Sequence, residues 1–508
     1  MKVLLIIALL LTTSLSFGQK LKFKVTGQKD TTVFLVKYYG KGLYYADTAE
    51  MKNGVVEFNG SIQQPGILAL LLPQQKYFEF IYTGEDVQIE TQGPDYVTSM
   101  KVKKSEENIL FYNYMNFLSV KRTDANKLSE EREKLKKEDA NFKVITEKID
   151  VISKEVVAYQ KNLIATNSTK MVAKIIKMGM EVEIPEAPRN ANGKMIDTLF
   201  AYHYYRDHFF DNVDLKDDRL VNTPIFHTKL ETYLGKTMMV QHWDSIIKYA
   251  FIFCDRLDKK SKMFEYSVSW ITSTFEKSNI MGMDKVFVMM GDRYYCSKNA
   301  EGKSHAHWVK EDKLKDLCDK VTTQKNLVMG VRPPNIALRD TTDVKWHDFY
   351  SLKSEYTIIY FWDPECGHCK KTTPKLEELY IKKFKDRNIE IFSVGKAVGD
   401  DFPKWKKFVK DNKLTFINVA VTETLYKAAI EDARQFVPKY TTIEALNYQT
   451  TYDIFSTPRI FVLDKDKKII AKQLSISQLE DLMDKLQHKD DAPKLFPPDP
   501  EEDEHMTH

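Results

Sequence analysis

Cysteine is scarce in this sequence of 508 residues, which has only five: Cys254, Cys296, Cys318, Cys366 and Cys369. So few cysteines in so long a chain exclude the small, disulfide-dense class of secreted domains. Only Cys366 and Cys369 lie close together in the sequence. We expect the other three to be either small buried apolar groups, or one structural disulfide with one cysteine left over.

An excess of charge of one sign is also missing. The chain has 76 basic and 72 acidic side chains, for a formal net charge of +4. A nucleic-acid-binding protein usually presents a concentrated basic face, and this balance does not supply one. We therefore expect no nucleic-acid partner.

Long hydrophobic runs are absent after the first eighteen residues. Those residues, "MKVLLIIALLLTTSLSFG", carry a positive charge at Lys2, an apolar run from Val3 to Leu11 and small residues at Ser16 and Gly18. This layout predicts a secretory signal peptide at 1–18, cleaved before Gln19. The alternative is a membrane anchor, but the apolar run is shorter than the ~20 residues that a spanning helix needs. We expect an exported, periplasmic protein.

Residues 19–100 alternate short apolar runs with turn residues, a pattern that predicts strands. Six stretches are expected to be strands: "KFKV", "TVFLVKYY", "GVVEFNG", "GILALLL", "YFEFIY" and "DVQIET". The prediction for this region is a small antiparallel sheet or sandwich, written here as a β-sandwich-like domain.

Residues 101–328 change to a helical period and predict a central all-α domain. One long helix is expected from Leu128 to Leu163, because apolar residues recur there at intervals of seven. This helix either docks on its own domain or forms a homo-oligomer through a coiled coil, and the sequence leaves both alternatives open.

Residues 329–488 alternate strands and helices, which predicts an α/β domain. An added helix and strand are expected around 400–450. Ser477 and Glu480 have the spacing of a capping box for a terminal helix. The tail, 489–508, is charged and rich in proline, so we expect it to be disordered.

The pair of cysteines lies in "FWDPECGHCKKTTP", where a buried strand ends and a helix begins. A thiolate, not a thiol, attacks a disulfide. At the start of a helix, the free N–H groups and the helix dipole stabilise a negative sulfur. The spacing therefore predicts that Cys366 is the exposed attacking thiol and that Cys369 resolves the mixed disulfide.

The region 333–487 resembles a thioredoxin-fold module, specifically that of the periplasmic thiol-disulfide oxidoreductases of Gram-negative bacteria. The resemblance is carried by "FW" before the cysteines, by the CGHC motif, by Pro374 and by "YDIFSTPRIFVLD" downstream. It implies a thioredoxin fold, a redox-active Cys366–Cys369 disulfide, and supporting roles for Trp362 and Gly367.

The resemblance also implies that Pro458 is cis and lies against the cysteine pair. Thr457 would then offer a strand edge to an extended substrate segment. One departure concerns the buried acid that many family members carry six residues before the first cysteine, because Tyr360 occupies that position here. Asp363 and Glu365 are either substitutes for this acid or solvated charges.

The dipeptide Gly367-His368 is the one found in protein disulfide isomerase sites. A protonated histidine beside the pair stabilises the thiolate of the reduced form. We therefore expect a more oxidising site than one with proline at position 368.

A metal site is the weaker interpretation of the cysteines, because a structural zinc site needs four ligands and only one close pair exists. Cys296, His305 and His307 are imaginable ligands, with a solvated loop as the alternative. No dinucleotide, P-loop or zinc-protease motif is present in the sequence. We expect no metal and no organic cofactor.

The sequence therefore predicts a secreted thiol-disulfide oxidoreductase that exchanges disulfides with exported proteins. Its electron donor or acceptor would be another protein. Two alternatives stay open: a disulfide isomerase, and a binding or assembly protein in which the thioredoxin-like domain is not catalytic.

Overall fold

The computed structural model describes residues 19–498. The expected signal peptide, 1–18, and the last part of the expected tail, 499–508, lie outside these residues. The chain divides into two compact units. The first contains the described residues up to Met239 together with Phe253–Tyr266, and the second contains Val240–Ile252 together with the described residues from Ser267 onward.

The first unit begins with two four-stranded sheets that pack into a sandwich. The strands are β1 (Lys20–Thr26), β2 (Thr31–Tyr39), β3 (Gly42–Met51), β4 (Val55–Asn59), β5 (Gly66–Leu71), β6 (Tyr77–Tyr82), β7 (Val87–Gln92) and β8 (Lys101–Lys104). Their orders are β4-β1-β7-β8 and β3-β2-β5-β6. The sequence pattern did not indicate β3 or β8, and β8 extends the first sheet past residue 100.

Alternation along β1 builds the core of this sandwich. Leu21, Phe23 and Val25 are buried, whereas the lysines between them are exposed. Because side chains alternate across a strand, all three apolar residues point to one face, toward the second sheet. The predicted β-sandwich-like domain is therefore confirmed.

Among the described residues, nine α-helices lie between the sandwich and the C-terminal domain, and they are distributed over both units. They are α1 (Glu106–Glu133), α2 (Ala140–Thr166), α3 (Met171–Gly179), α4 (Phe200–His208), α5 (Pro224–Leu234), α6 (Trp243–Asp255), α7 (Lys262–Glu276), α8 (Asp284–Met290) and α9 (Glu311–Lys325).

The expected single helix from Leu128 to Leu163 is wrong, because the chain turns between α1 and α2. The turn, "KLKKED" at 134–139, is dense in charge, and Asp139 caps α2 by accepting a hydrogen bond from Asn141 N at 2.9 Å. The two helices then pack together, with the rings of Phe117 and Tyr159 stacked 4.2 Å apart. The apolar seam of α2 thus has a partner in its own chain.

A disulfide joins Cys296 to Cys318, and Cys254 is a buried thiol outside that bond. Of the two alternatives from the sequence, the structure therefore has one structural disulfide with one cysteine left over. The bond links α9 to the π turn Gly291–Cys296 that follows α8.

The C-terminal domain lies in the second unit and contains a seven-stranded sheet. Its elements are β9 (Ala337–Asp340), β10 (Trp346–Asp348), β11 (Tyr356–Trp362), α10 (Gly367–Leu379), β12 (Ile389–Gly395), α11 (Asp401–Asp411), β13 (Ile417–Ala420), α12 (Glu423–Asp432), α13 (Ile443–Leu446), α14 (Tyr448–Thr451), β14 (Arg459–Leu463), β15 (Ile469–Lys472) and α15 (Ile476–Leu486). The strand order is β10-β9-β13-β12-β11-β14-β15.

Strand β11 occupies the interior of this sheet, parallel to β12 and antiparallel to β14. Tyr360 and Trp362 enter one core cluster, whereas Ile359 and Phe361 enter the other. A strand covered on both faces reads as a continuous apolar run, which "YTIIYFW" is. The predicted α/β thioredoxin fold is confirmed, and the region 400–450 contains α11 and β13 together with α12 to α14.

The predicted capping box at Ser477 and Glu480 is wrong by two residues. Ser475 is the N-cap of α15, and its side chain and that of Gln478 form the reciprocal bonds. Glu480 is instead fully buried and accepts hydrogen bonds from the backbone N–H groups of Leu495 and Phe496, at 2.9 and 3.1 Å.

These bonds also correct the expectation of a disordered tail, as far as the structure describes it. Leu495 and Phe496 pack against the apolar core beneath α15. The charge and proline content of the tail predicted disorder, but two apolar side chains and a buried carboxylate hold it to the domain.

No helix among residues 19–498 combines the length and the apolar character needed to cross a membrane.

Candidate functional site

The cysteine pair lies where β11 ends and α10 begins. Cys366 is the N-cap residue of α10, and Cys369 lies in its first turn. The connecting loop is held by two turn contacts: Cys366 N donates to Asp363 O at 3.1 Å, and Glu365 N donates to the Asp363 carboxylate at 2.8 Å. The short loop between β11 and α10 thus places both sulfurs at the helix N-terminus.

Cys366 is half-buried and has a lowered pKa. Burial opposes ionisation of its thiol, but hydrogen bonds from the backbone and side chain of Cys369, from the Thr457 side chain and from the backbone of His368 outweigh it. The two backbone donors among them are of the kind that a helix N-terminus leaves free. The arrangement favours a thiolate at Cys366.

Cys369 behaves in the opposite way. Its side chain is fully buried, and burial, followed by the nearby Cys366 sulfur, raises the pKa of Cys369 to about 12. It is therefore a neutral thiol that donates to its neighbour. Both cysteines are thiols in this structure, which is the reduced form of the expected redox-active pair.

The segment before β14 brings Thr457 and Pro458 to this pair. The peptide bond between these two residues is cis, and the Cys366 thiol donates to Thr457 O at 3.2 Å. Phe361 on β11 is paired in register with Arg459 on β14, so strand pairing sets the two segments side by side. Residues separated by about ninety positions of sequence are thereby in direct contact.

Trp362 fixes the end of β11 next to the cysteine loop. It is almost fully buried, its indole N–H donates to Ser393 Oγ at 2.6 Å, and its ring lies against Phe408. A buried indole needs such a partner for its N–H group. The bond ties the end of β11, just before the cysteine loop, to the neighbouring strand β12.

The two loop carboxylates are held by lysines. Asp363 pairs with Lys396 at 3.2 Å, and Glu365 pairs with Lys404 at 3.2 Å and with Lys370 at 3.8 Å. Glu365 is exposed. These pairs resemble solvated charges at the rim of the site more than a buried proton acceptor.

Tyr360 occupies the position of the missing buried acid. It is fully buried, and its hydroxyl shares a 2.7 Å hydrogen bond with Thr373 Oγ1 in α10. A neutral pair replaces the carboxylate there, which avoids placing a charge in the core.

Gly367 and His368 are exposed at the mouth of the pair. A side-chain carbon at position 367 would meet nothing within 4 Å, so the space beside Gly367 is open. His368 contributes its backbone N–H to the Cys366 sulfur.

The metal interpretation loses a ligand, because Cys296 is in the disulfide. Across residues 19–498 no group of three or more His, Cys, Asp or Glu side chains could hold a metal ion.

Sequence reasoning missed two residues of the site. Arg459 follows the cis-proline and donates to Ser456 Oγ at 3.0 Å, and Lys396 follows β12 and pairs with Asp363. Lys396 could have been found, because the C-terminal ends of parallel strands meet at the same edge of a sheet, as they do for β11 and β12.

Three family models match the chain. A thioredoxin-like model matches residues 354–469, and two domains of unknown function, DUF4369 and DUF5106, match 20–111 and 152–317. The thioredoxin-like match covers the cysteine pair and the cis-proline. The other two cover the sandwich and much of the helical region, and both are described only as domains of unknown function.

Named relatives match part of the chain. Thiol-disulfide oxidoreductase ResA of Bacillus thuringiensis subsp. konkukian (strain 97-27) is 25% identical over 168 residues, which are 32% of this chain and 82% of ResA. Protein disulfide isomerase-like 1-1 of Arabidopsis thaliana is 26% identical over 113 residues, 22% of each chain.

Among solved structures, a domain of a possible thiol-disulfide isomerase from Cytophaga hutchinsonii ATCC 33406 is 30% identical, with a TM-score of 0.25. The match covers 32% of this chain and 94% of that domain. Over residues 354–469 the C-terminal domain matches the thioredoxin-like family model, and the chain is similar to proteins named thiol-disulfide oxidoreductases.

Proposed function

We propose that the protein exchanges disulfides with exported polypeptides through Cys366 and Cys369. The Cys366 thiolate attacks a substrate disulfide, forms a mixed disulfide and releases one substrate thiolate. Cys369 then gives up its proton and attacks the Cys366 sulfur, which releases the second substrate thiol. The protein loses two electrons and becomes the Cys366–Cys369 disulfide, and the substrate becomes a dithiol.

The observation that carries this proposal is the opposite ionisation of the two thiols. Cys366, the more exposed, has a lowered pKa, and buried Cys369 has a raised one. Attack from outside therefore falls to Cys366.

The same contacts favour the second step after the first. Besides burial, the Cys366 sulfur itself raises the pKa of Cys369, through their hydrogen bond and through its charge. Once Cys366 is in a mixed disulfide, its negative charge is gone and that contribution disappears. Cys369 then ionises more easily, so the resolving thiol becomes available when it is needed.

The position of Thr457 is evidence that the substrate is a polypeptide. Its carbonyl group lies beside the Cys366 sulfur, at the N-terminal end of β14. An extended substrate segment that pairs with this backbone would bring its own cysteine to Cys366.

Export is supported by two features. The leader-like residues 1–18 have the layout of a signal peptide. The Cys296–Cys318 disulfide is of a kind that persists in oxidising compartments. Location in the periplasm and exchange with exported partners belong to this proposal.

Disulfide isomerisation is a second candidate, favoured by the Gly367-His368 dipeptide and by the match to a relative named for isomerase activity. Reactivation of scrambled ribonuclease tests it. An isomerase restores activity in a glutathione buffer, whereas a simple reductase leaves the scrambled enzyme inactive.

Reduction of insulin by dithiothreitol tests the main proposal. The full chain should accelerate it, and Cys366→Ala should remove the acceleration. Cys254→Ala is the matched control, because it removes the buried thiol of the first unit and should leave the rate unchanged. Equal rates for the native chain and Cys366→Ala would contradict the proposal and favour a non-catalytic binding role.

A further inference from the structure

A cavity of about 520 Å³ lies beside the segment that leads into the cis-proline. One wall comes from that segment, through Phe455 and Arg459. The opposite wall comes from the helical part of the same compact unit, through Glu276 and Lys320. We call this cavity the Phe455 groove.

One lining residue of the groove is close in sequence to the residue that contacts the reactive sulfur. Phe455 precedes Thr457 by two residues, and Thr457 O lies 3.2 Å from Cys366 Sγ. Two residues of extended chain cover about 7 Å. A polypeptide bonded to Cys366 therefore needs only a few residues to reach the groove.

The groove has a mixed polar and apolar lining in which one aromatic side chain is exposed. Phe455 is 89% exposed, which makes it an aromatic side chain without cover in the described chain. Deeper lining residues are apolar or aromatic and buried: Phe287, Leu327, Tyr452 and Phe461. Aromatic residues on a protein surface are enriched where another polypeptide binds.

Part of the polar lining of the groove is already bonded within the chain. Lys320 pairs with Glu276 at 2.8 Å, and Gln324 donates to Asp453 at 2.7 Å. An apolar side chain packed against Phe455 would leave both contacts in place.

The groove also continues beyond this cavity. A second cavity, of about 390 Å³, shares Ser278, Asp284 and Lys472 with the first. Two adjoining cavities suit an extended chain better than a single small molecule.

We propose that the Phe455 groove binds the segment of the substrate polypeptide next to its reactive cysteine, with a large apolar side chain packed against Phe455. This inference rests on the proposed function and adds the substrate class: disulfides flanked by apolar residues. The helical region thereby contributes to substrate choice.

Two synthetic peptides with one internal disulfide test this inference. They differ only beside one cysteine, where one peptide has leucine and the other has serine. The reduced full chain is mixed with each peptide, and the rate constant for oxidation of the protein is measured. In this reaction two electrons pass from Cys366 and Cys369 to the peptide, which leaves as a dithiol.

The native chain should react about tenfold faster with the leucine peptide. Phe455→Ala should bring the ratio of the two rate constants close to one. Lys320→Trp, which narrows the groove from the other wall, should also lower the ratio. Ile430→Ala, on α12 and outside the groove, removes an apolar side chain that is 67% exposed and should keep the ratio.

A native ratio near one, or a native ratio retained in both groove variants, would overturn the inference and leave the proposed function standing. A native chain that oxidises with neither peptide would instead overturn the proposed function. The two failures are therefore distinguishable.

Discussion

Cys366 and Cys369 lie one helical turn apart, yet their surroundings drive their ionisation in opposite directions. Hydrogen bonds at the helix N-terminus lower the pKa of Cys366, and burial raises that of Cys369. The difference comes from their surroundings, because Cys366 at the N-cap accepts hydrogen bonds from α10 and from Thr457, whereas Cys369 lies a turn deeper and is buried.

Alkylation of the reduced protein by iodoacetamide should show this difference. Because the thiolate is the reactive form, the rate at Cys366 should rise with pH through a midpoint below the ordinary thiol value of 9.0. Cys369→Ala removes the thiol that donates to Cys366 and should move the midpoint upward. Peptide mapping identifies the modified residue, and faster modification of Cys369 than of Cys366 would contradict the assignment.

His368→Pro should lower the reduction potential of the pair. Proline has no N–H, so the variant loses the backbone hydrogen bond to the Cys366 sulfur as well as the imidazole. The reduced form is then less stable. The reduction potential falls by roughly 30 mV for each tenfold change in the equilibrium constant with glutathione.

His368→Ala is the control for that change, because it removes the imidazole and keeps the N–H. It should have a potential between the native chain and His368→Pro. An unchanged or higher potential in His368→Pro would reject the account.

Single residues of the site were readable from the sequence only where a local motif marked them. The CGHC spacing identified Cys366 and Cys369, and "STP" identified Thr457 and Pro458 through the resemblance. Ser393 and Thr373 gave no signal, because a hydroxyl that satisfies a buried Trp362 or Tyr360 has no pattern of its own.

At the level of elements, hydrogen bonds to Glu480 hold the described part of the tail against α15. Glu480 is fully buried, pairs with Lys383 and accepts from the backbone of Leu495 and Phe496. Breaking a buried ion pair leaves a charge uncompensated in the interior.

Glu480→Gln should therefore lower the free energy of unfolding by about 3 kcal/mol. Asp481→Asn is the neighbouring control, because Asp481 pairs with Lys494 at the surface and should contribute less than about 1 kcal/mol. Urea unfolding followed by tryptophan fluorescence measures both, and equal effects would show that the Glu480 contact does not hold the element.

The Cys296–Cys318 disulfide, which joins α9 to the preceding π turn, should stabilise the folded protein. It spans a sequence separation of 22, for which the chain-entropy model gives about 3 kcal/mol. Replacing both cysteines with serine should lower the thermal midpoint.

Dithiothreitol should lower the native midpoint to the value of this double variant and should leave the variant itself unchanged. A native midpoint that is insensitive to both changes would mean that the bond does not constrain this region.

Local patterns decided which elements could be predicted. The run "YTIIYFW" identified β11, because a strand buried on both faces has few alternatives. The seven-residue spacing after Leu128 gave the wrong length, because periodicity does not show where a chain reverses. Ser475 and Ser477 both have a capping partner three residues later, and the sequence could not decide between them.

On the scale of the whole molecule, the cysteine pair lies in the segment that matches the thioredoxin-like family model, 354–469, and more than half of the chain lies before it. Composition and pattern were enough to predict a β-rich, a helical and an α/β part in that order. They could not show that the two compact units divide inside the helical region, at α6 and α7, because that division depends on packing between distant segments.

A trapping measurement tests the central claim most directly. The full-length Cys369→Ala variant is reduced, mixed with a peptide disulfide and analysed by mass spectrometry. Without the resolving thiol, the account predicts a stable peptide adduct at Cys366, released by dithiothreitol, and none in Cys366→Ala. An adduct on another cysteine, or no adduct in Cys369→Ala, would contradict it.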